Sequence, residues 1–169
     1  SLFVSGCTHH CKECFNKEAW DFHYGNPFTQ KEIDRILEYL KPNYIAGLSL
    51  LGGEPMEPVN QEGILPLLEP ENQRVLLPFL KKVRERFPKK NIWCYTGYLF
   101  DKDVLDKMCK ESEVTKEIVS YLDIVVDGEF MIDRKNLKIN FRGSDNQRII
   151  DVKKTLDAGE IVHWEREIQ

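Results

Sequence analysis

Three cysteines fall within eight positions, Cys7, Cys11 and Cys14, spaced C-x3-C-x2-C and placed directly after a short apolar run, Leu2–Ser5. A run that is apolar, partly β-branched and ended by Gly6 reads as a buried strand that delivers Cys7 into a loop. Three thiols leave a closed metal site one donor short, because structural zinc takes four protein ligands and an electron-carrying iron–sulfur cluster takes four cysteines. His9 and His10 stand between the first two cysteines, so a Cys3His zinc site is one reading of the spacing. A cluster with one free iron is the other, and the open corner of a metal site is where a substrate binds and chemistry occurs. Disulfides fit poorly: five cysteines is an odd number, and a chain of 169 residues buries enough core to do without staples.

A content of 41% hydrophobic and 31% charged residues is that of a single globular domain, expected to span 1–169 with an ill-defined tail over 149–169. The net charge of −4 and the scatter of the basic residues give no electrostatic footprint for nucleic acid. No apolar stretch approaches the ~20 residues of a membrane span, and no secretory leader precedes the cysteines. A reducing, cytoplasmic setting is therefore expected, in which clustered thiols bind metal rather than pair. Ser1 enters almost directly into the first strand without an initiator Met, which fits an N-terminal piece missing from the sequence.

Downstream, strand and helix patterns alternate. The stretch 15–28 is aromatic and turn-rich and reads as a lid or packing segment over the metal. Thr29 and Glu32 form a capping box ahead of Ile33, Ile36, Leu37 and Leu40, so a helix is expected there, ended by Pro42. Gly47–Leu51 is a near-continuous apolar run, as in a parallel strand covered on both faces, and it breaks into Gly52-Gly53-Glu54-Pro55. A loose, proline-rich excursion follows over 56–70, then a helix capped by Asn72 with Leu76, Leu80, Val83 and Phe87 on one face. Strands are expected at Ile92–Thr96, Ile124–Val126 and Leu137–Phe141, with a helix from Asp101 or Asp103 between the first two. Beyond Ile149 the pattern supports only one or two strands around a turn at 157–159.

Such βαβ alternation builds a parallel sheet. The cysteine loop, Gly52–Pro55, Thr96-Gly97, Asp127-Gly128 and the loop Arg142–Arg148 each follow an expected strand, so they share the edge where α/β sheets bind ligands. The double glycine lets backbone approach a ligand and offer it N–H and C=O groups, and Glu54 adds an anion suited to an ammonium group. His9 and His10 read as solvent-facing loop residues, and Cys94 and Cys109 as ordinary thiols.

The C-x3-C-x2-C loop after the first strand, with GGEP after the next, resembles the radical S-adenosylmethionine (SAM) enzymes. The segments LFVSGC, CFN after the last cysteine, LSLLGGEP, WCYTGY, VDGEF and FRGSDNQR, in this order over Leu2–Arg148, are similar to the activating proteins of the anaerobic (class III) ribonucleoside-triphosphate reductase, and FRGSDNQR is what narrows the likeness to that group. The resemblance implies an α/β fold of the abbreviated, open radical-SAM-type (β/α) partial-barrel kind with a parallel sheet. It implies a 4Fe–4S cluster on Cys7, Cys11 and Cys14, with SAM chelating the fourth iron. Gly52, Gly53 and Glu54 would hold the methionine amine, Glu13 and Phe15 beside Cys14 would flank the adenine, and Thr96 and Asp127 would line the SAM pocket. Arg142, Asn146, Gln147 and Arg148 would orient the SAM carboxylate or the partner. Glu13 departs from the aromatic residue frequent in the superfamily, so contact there is expected through backbone.

The implied partners are the reductase, through its C-terminal glycine loop, and an electron donor such as flavodoxin. The implied chemistry is reductive cleavage of SAM to a 5′-deoxyadenosyl radical that takes hydrogen from a glycine, with no acid or base supplied by the protein. The alternatives are an activase of another glycyl-radical enzyme, of the pyruvate formate-lyase type, and, from a different class, a zinc-stabilised binding module.

Overall fold

The computed structural model describes residues 1–59 and 72–166. Among them a five-stranded sheet has its strands side by side in chain order: β1 (Leu2–Val4), β2 (Gly47–Gly52), β3 (Asn91–Thr96), β4 (Ile124–Asp127) and β5 (Arg148–Asp151). The first four run parallel and β5 is antiparallel to β4. Between them lie α1 (Gln30–Leu40), α2 (Asn72–Arg86), a π-helical segment Phe100–Met108 that runs into α3 (Cys109–Glu111), and α4 (Glu113–Tyr121); α5 (Val152–Ala158) follows β5. The expected excursion 56–70 lies outside the described residues from 60 onward.

Local chemistry accounts for the helix ends. The Glu32 carboxylate accepts from the N–H of Thr29 at 2.9 Å and from its hydroxyl, which is the capping box read from the sequence. The expected helix near Asp101 begins one residue earlier, at Phe100, and Asp103 accepts from the Leu99 N–H at 2.7 Å ahead of it.

The described helices pack on one face of the sheet. Leu2, Leu50, Cys94, Val125 and Ile150 align across the five strands and pack with Leu37, Phe79, Leu80, Val104 and Ile118 into a single core. β2 is therefore not covered on both faces as its apolar run suggested; Leu48 and Leu50 are buried while Ser49 and Leu51 are half-buried. On the other face Trp93 meets Phe141 and Trp164, with ring centroids 5.2 and 5.1 Å away, whereas Phe3 on edge strand β1 stays 58% exposed. Crossovers between neighbouring parallel strands put the described helices on one side, and the opposite face stays partly open.

Two expectations fail near the C-terminus. Leu137–Phe141 is not a strand: Leu137 is 86% exposed, Phe141 sits at φ 63°, and the chain turns back so that Lys135 pairs with Ser144. An alternating pattern without a neighbour to pair with does not make a strand. The residues around 157–159 are helical. Asp151 accepts the Lys154 N–H at 3.0 Å, and Gly159 ends α5 in the left-handed region at φ 72°. Nothing crowds Gly159, so Gly159→Ala isolates the backbone cost. It should lower stability by about 1 kcal/mol, read as a lower urea midpoint at unchanged slope.

Candidate cluster and cofactor site

The exits of β1 to β4 and the entry of β5 share one edge of the sheet, because β5 runs the other way. The loop Arg142–Arg148 thus reaches the rim by preceding an antiparallel strand and not by following a parallel one, as was expected.

At this rim the double glycine has a packing role. Gly52 is at φ 117°, and a Cβ on Gly53 would lie 2.5 Å from the Gly6 carbonyl oxygen. The N–H groups of Gly53 and Glu54 are not left for a ligand; they donate to Val4 and Gly6 carbonyls, each at 2.7 Å. Gly6 and Cys7 in turn donate to the carbonyls of Ala19 and Trp20, so the segment 15–28 packs beside the cysteine loop. The Asn72 side chain ties both exits, donating to the Ser5 and Glu54 carbonyls at 3.1 and 2.9 Å.

Two buried glutamates then grip the loop between Cys7 and Cys11. Glu57 accepts from the Thr8 hydroxyl at 2.6 Å, from the Thr8 N–H at 3.2 Å and from the Tyr98 hydroxyl at 3.0 Å. Glu54, with no exposed surface, accepts from the N–H groups of Met56 and Gly97, each at 2.8 Å, and pairs with His9 Nε2 at 2.9 Å. The other ring nitrogen of His9 meets Glu129 at 2.9 Å, and Tyr98 lies against the ring at 4.3 Å between centroids. His9 is therefore not solvent-facing; its side chain is 9% exposed. Burial works against charge on this imidazole, but the bonds to Glu54 and Glu129 outweigh it and raise its pKa to about 9. His10 does face outward, stacked on Trp20 at 4.4 Å.

The three cysteines are unpaired and belong to one loop; Cys7 is buried and Cys11 and Cys14 half-buried. Burial pushes the Cys7 thiol up to about 11, opposed by backbone N–H groups of His9 and His10 directed at its sulfur. Cys11 is also raised, by burial and then by Glu129, while the Phe130 N–H opposes the rise. N–H groups aimed at cysteine sulfurs suit thiolates on iron, and bound metal reverses the penalty that keeps these thiols protonated. Among the described residues no three His, Cys, Asp or Glu side chains converge on one ion position, which a four-iron cluster does not require because each thiolate takes a different iron. The donor set fits such a cluster. His9 and Glu13 at φ 58° bracket the loop: the first faces inward, and Glu13 and Phe15 face solvent, Phe15 at 89% exposure.

The remaining expected residues divide by role. Thr96 accepts the Tyr98 N–H at 3.1 Å, a turn-forming bond. Asp127 is fully buried and accepts from the Phe100 N–H at 2.7 Å and from Arg148, which also pairs with Asp101 at 2.9 Å. Asn146 and Gln147 donate to the carbonyls of Glu129 and Gly128, each at 2.9 Å, and Arg142 donates to the Gln147 carbonyl at 3.0 Å. Among the described residues, two side-chain polar atoms are buried without a partner, Arg142 Nε and Asn146 Oδ1, and both belong to this loop. Sequence reasoning did not single out Glu57, Asn72, Tyr98 or Glu129 as rim residues; only the position of Glu129 beside Asp127-Gly128 pointed there.

Residues 1–150 match a family model described as a 4Fe-4S single cluster domain. The chain is similar to the anaerobic ribonucleoside-triphosphate reductase-activating protein of Pasteurella multocida (strain Pm70), 39% identical over 151 residues, which cover 88% of this chain and 84% of that protein. It is also similar to proteins of that name from Enterobacteria phage T4, 38% identical over 150 residues (88% of this chain, 80% of that one), and from Escherichia coli (strain K12), 36% identical over 149 residues (87% and 84%). No solved structure matches it.

Proposed function

Because the chain belongs to the family of anaerobic ribonucleoside-triphosphate reductase-activating proteins and carries a 4Fe-4S single cluster domain, we propose that it activates that reductase by radical SAM chemistry on its cysteine loop. The observation that carries the reading is the placement of three unpaired thiols on one loop at the rim, gripped by two buried carboxylates from the β2 exit. Cys7, Cys11 and Cys14 would hold the 4Fe–4S cluster, three thiolates leaving it open to SAM. When bound and reduced, it would supply the electron for reductive cleavage of SAM, the source of the radical that takes a hydrogen atom from a glycine of the reductase.

The chain's own residues bind and orient. The carbonyls of Gly52 and Gly53 favour an ammonium group at the β2 exit, and Glu54, whose oxygens are taken by Met56, Gly97 and His9, fixes the backbone beside them. Glu13 and Phe15, exposed beside Cys14, flank the adenine. Thr96 and Asp127 shape the pocket by fixing the turns at the ends of β3 and β4. The unpartnered atoms of Arg142 and Asn146 receive a polar group of SAM or of the reductase's C-terminal glycine loop, with Gln147 and Arg148 tying their own 142–148 loop to the end of β4.

The one-sided sheet supports an open radical-SAM-type partial barrel, and burial of Val152 and Thr155 of α5 supports one domain over 1–169. Five free cysteines fit a reducing, cytoplasmic setting, and no described helix is long and apolar enough to cross a membrane; the electron would come from a donor such as flavodoxin. The zinc-stabilised module is overturned: the matching domain is of the 4Fe-4S type, and both ring nitrogens of His9 are taken by carboxylates. The named relatives likewise set aside a pyruvate formate-lyase-type activase.

Anaerobic reconstitution with iron and sulfide, then reduction in the presence of SAM, should release 5′-deoxyadenosine and methionine together. Added anaerobic reductase should then show a glycyl-radical doublet by electron paramagnetic resonance (EPR). Iron-loaded protein that leaves SAM intact would refute the reading.

A further inference from the structure

Of the two histidines between Cys7 and Cys11, His9 bonds to the exits of both β2 and β4. Its Nε2 is 2.9 Å from Glu54 and its Nδ1 is 2.9 Å from Glu129, so both ring nitrogens are engaged at once. The ring is seated against Tyr98 and over Gly97, where a Cβ would lie 2.6 Å from it. Glu129 is in turn fixed through its backbone, since Asn146 donates to its carbonyl at 2.9 Å. We propose that His9 is a positioning residue, which holds the cysteine loop in register with the β2 exit by bonding to Glu54 and Glu129 at once. This rests on the reading that the loop carries the cluster and that the β2 exit receives the amino end of SAM.

The geometry explains why histidine serves. The two carboxylates meet different ring nitrogens, and a planar ring with nitrogens at two separated corners reaches both while filling little space above Gly97. A glutamine can keep one of the two bonds; a phenylalanine keeps the packing and neither bond. Without the ring, Glu54 remains fully buried with two N–H donors in place of three, and the segment between Cys7 and Cys11 keeps the grip of Glu57 on Thr8 and the outward stacking of His10 on Trp20. The sulfur positions and the orientation of the Glu54 carboxylate then loosen together.

His9→Gln and His9→Phe, made in the full chain and reconstituted anaerobically, test this by three readouts that do not depend on turnover. These are iron per chain, the EPR spectrum of the reduced cluster with and without SAM, and the Kd for SAM. Groups that orient metal ligands typically contribute 10–100-fold, so Kd should rise about tenfold in His9→Gln and nearer a hundredfold in His9→Phe, with a smaller SAM-induced change in the spectrum. Glu129→Ala should weaken SAM binding alone but add little on top of His9→Phe. Variants that load iron, bind SAM and give the spectrum of the wild type would overturn the proposal, as would variants that differ only in melting temperature. If His9→Phe does not fold, His9→Gln decides by the same criteria. Wild-type protein that loads no cluster, or whose spectrum ignores SAM, would instead overturn the functional reading on which the proposal rests.

Discussion

Cys11→Ala protein, reconstituted and reduced alongside the wild type, is expected to yield no 5′-deoxyadenosine above background. Cys11 follows His10, itself at φ 51°, and the Cys14 N–H donates to the Cys11 carbonyl at 3.1 Å, so the last two thiols share one tight turn. Removing this sulfur leaves two ligands for a four-iron cluster, and no neighbouring side chain replaces it: Glu129 is engaged by His9. Loss of a direct ligand exceeds the 10–100-fold effect of groups that only orient ligands, so activity should fall more than a hundredfold, with iron content falling in parallel. Cys7→Ala and Cys14→Ala should behave alike. Cys94→Ala should keep full activity, because Cys94 points into the helix-side core. A Cys11→Ala chain that still cleaved SAM would remove the ligand assignment.

The second large effect is on stability and lies where β4 and β5 meet. Arg148 places Nε and Nη2 on the two oxygens of Asp127, at 2.9 and 2.5 Å, and reaches Asp101 at 2.9 Å. Asp127 has no exposed surface, whereas the Arg148 side chain is 27% exposed. Arg148→Met therefore strands a buried carboxylate with one remaining donor, the Phe100 N–H. Orphaning one member of a buried pair costs about 3–5 kcal/mol, which for a chain of this size lowers Tm by roughly 10 °C or more. Arg148→Lys should recover only part of it, since an ammonium cannot reproduce the two-pronged contact. The pairing with Arg148 also holds the Asp101 carboxyl below the usual carboxylate range. A depressed carboxyl stabilises fully above its unfolded value of about 3.9 and ceases to as pH falls through its lower folded value. The gap in Tm between wild type and Arg148→Met should accordingly narrow in acid; a gap of less than about 1 kcal/mol at neutral pH would show the pair to be dispensable.

The sheet was legible where a strand ends in glycine or a capped helix follows, as at Gly47–Gly52 and Thr29–Glu32, because those patterns are local. Leu137–Phe141 alternates like a strand but has nothing to pair with, and pairing is a property of the fold. The signals for α5, Asp151 at its start and Gly159 at its end, were present and outweighed by a weak apolar pattern. The cysteines and the rim were readable from spacing and from strand ends. The inward turn of His9 was not, because its carboxylate partners are 45 and 120 positions away and no short-range pattern encodes them.

That separation bears on how the protein matures. The thiols precede in the chain the anchors that shape their loop, which come with Glu54, Glu57, Tyr98 and finally Glu129, and the hold on Glu129 comes later still with Asn146. A nascent chain that has passed Cys14 but not yet reached Glu129 thus carries a thiol triplet without its anchors, open to stray metals and oxidants until Glu129 has emerged. Iron should be inserted into finished molecules, and nascent chains stalled before Glu129 should not retain it.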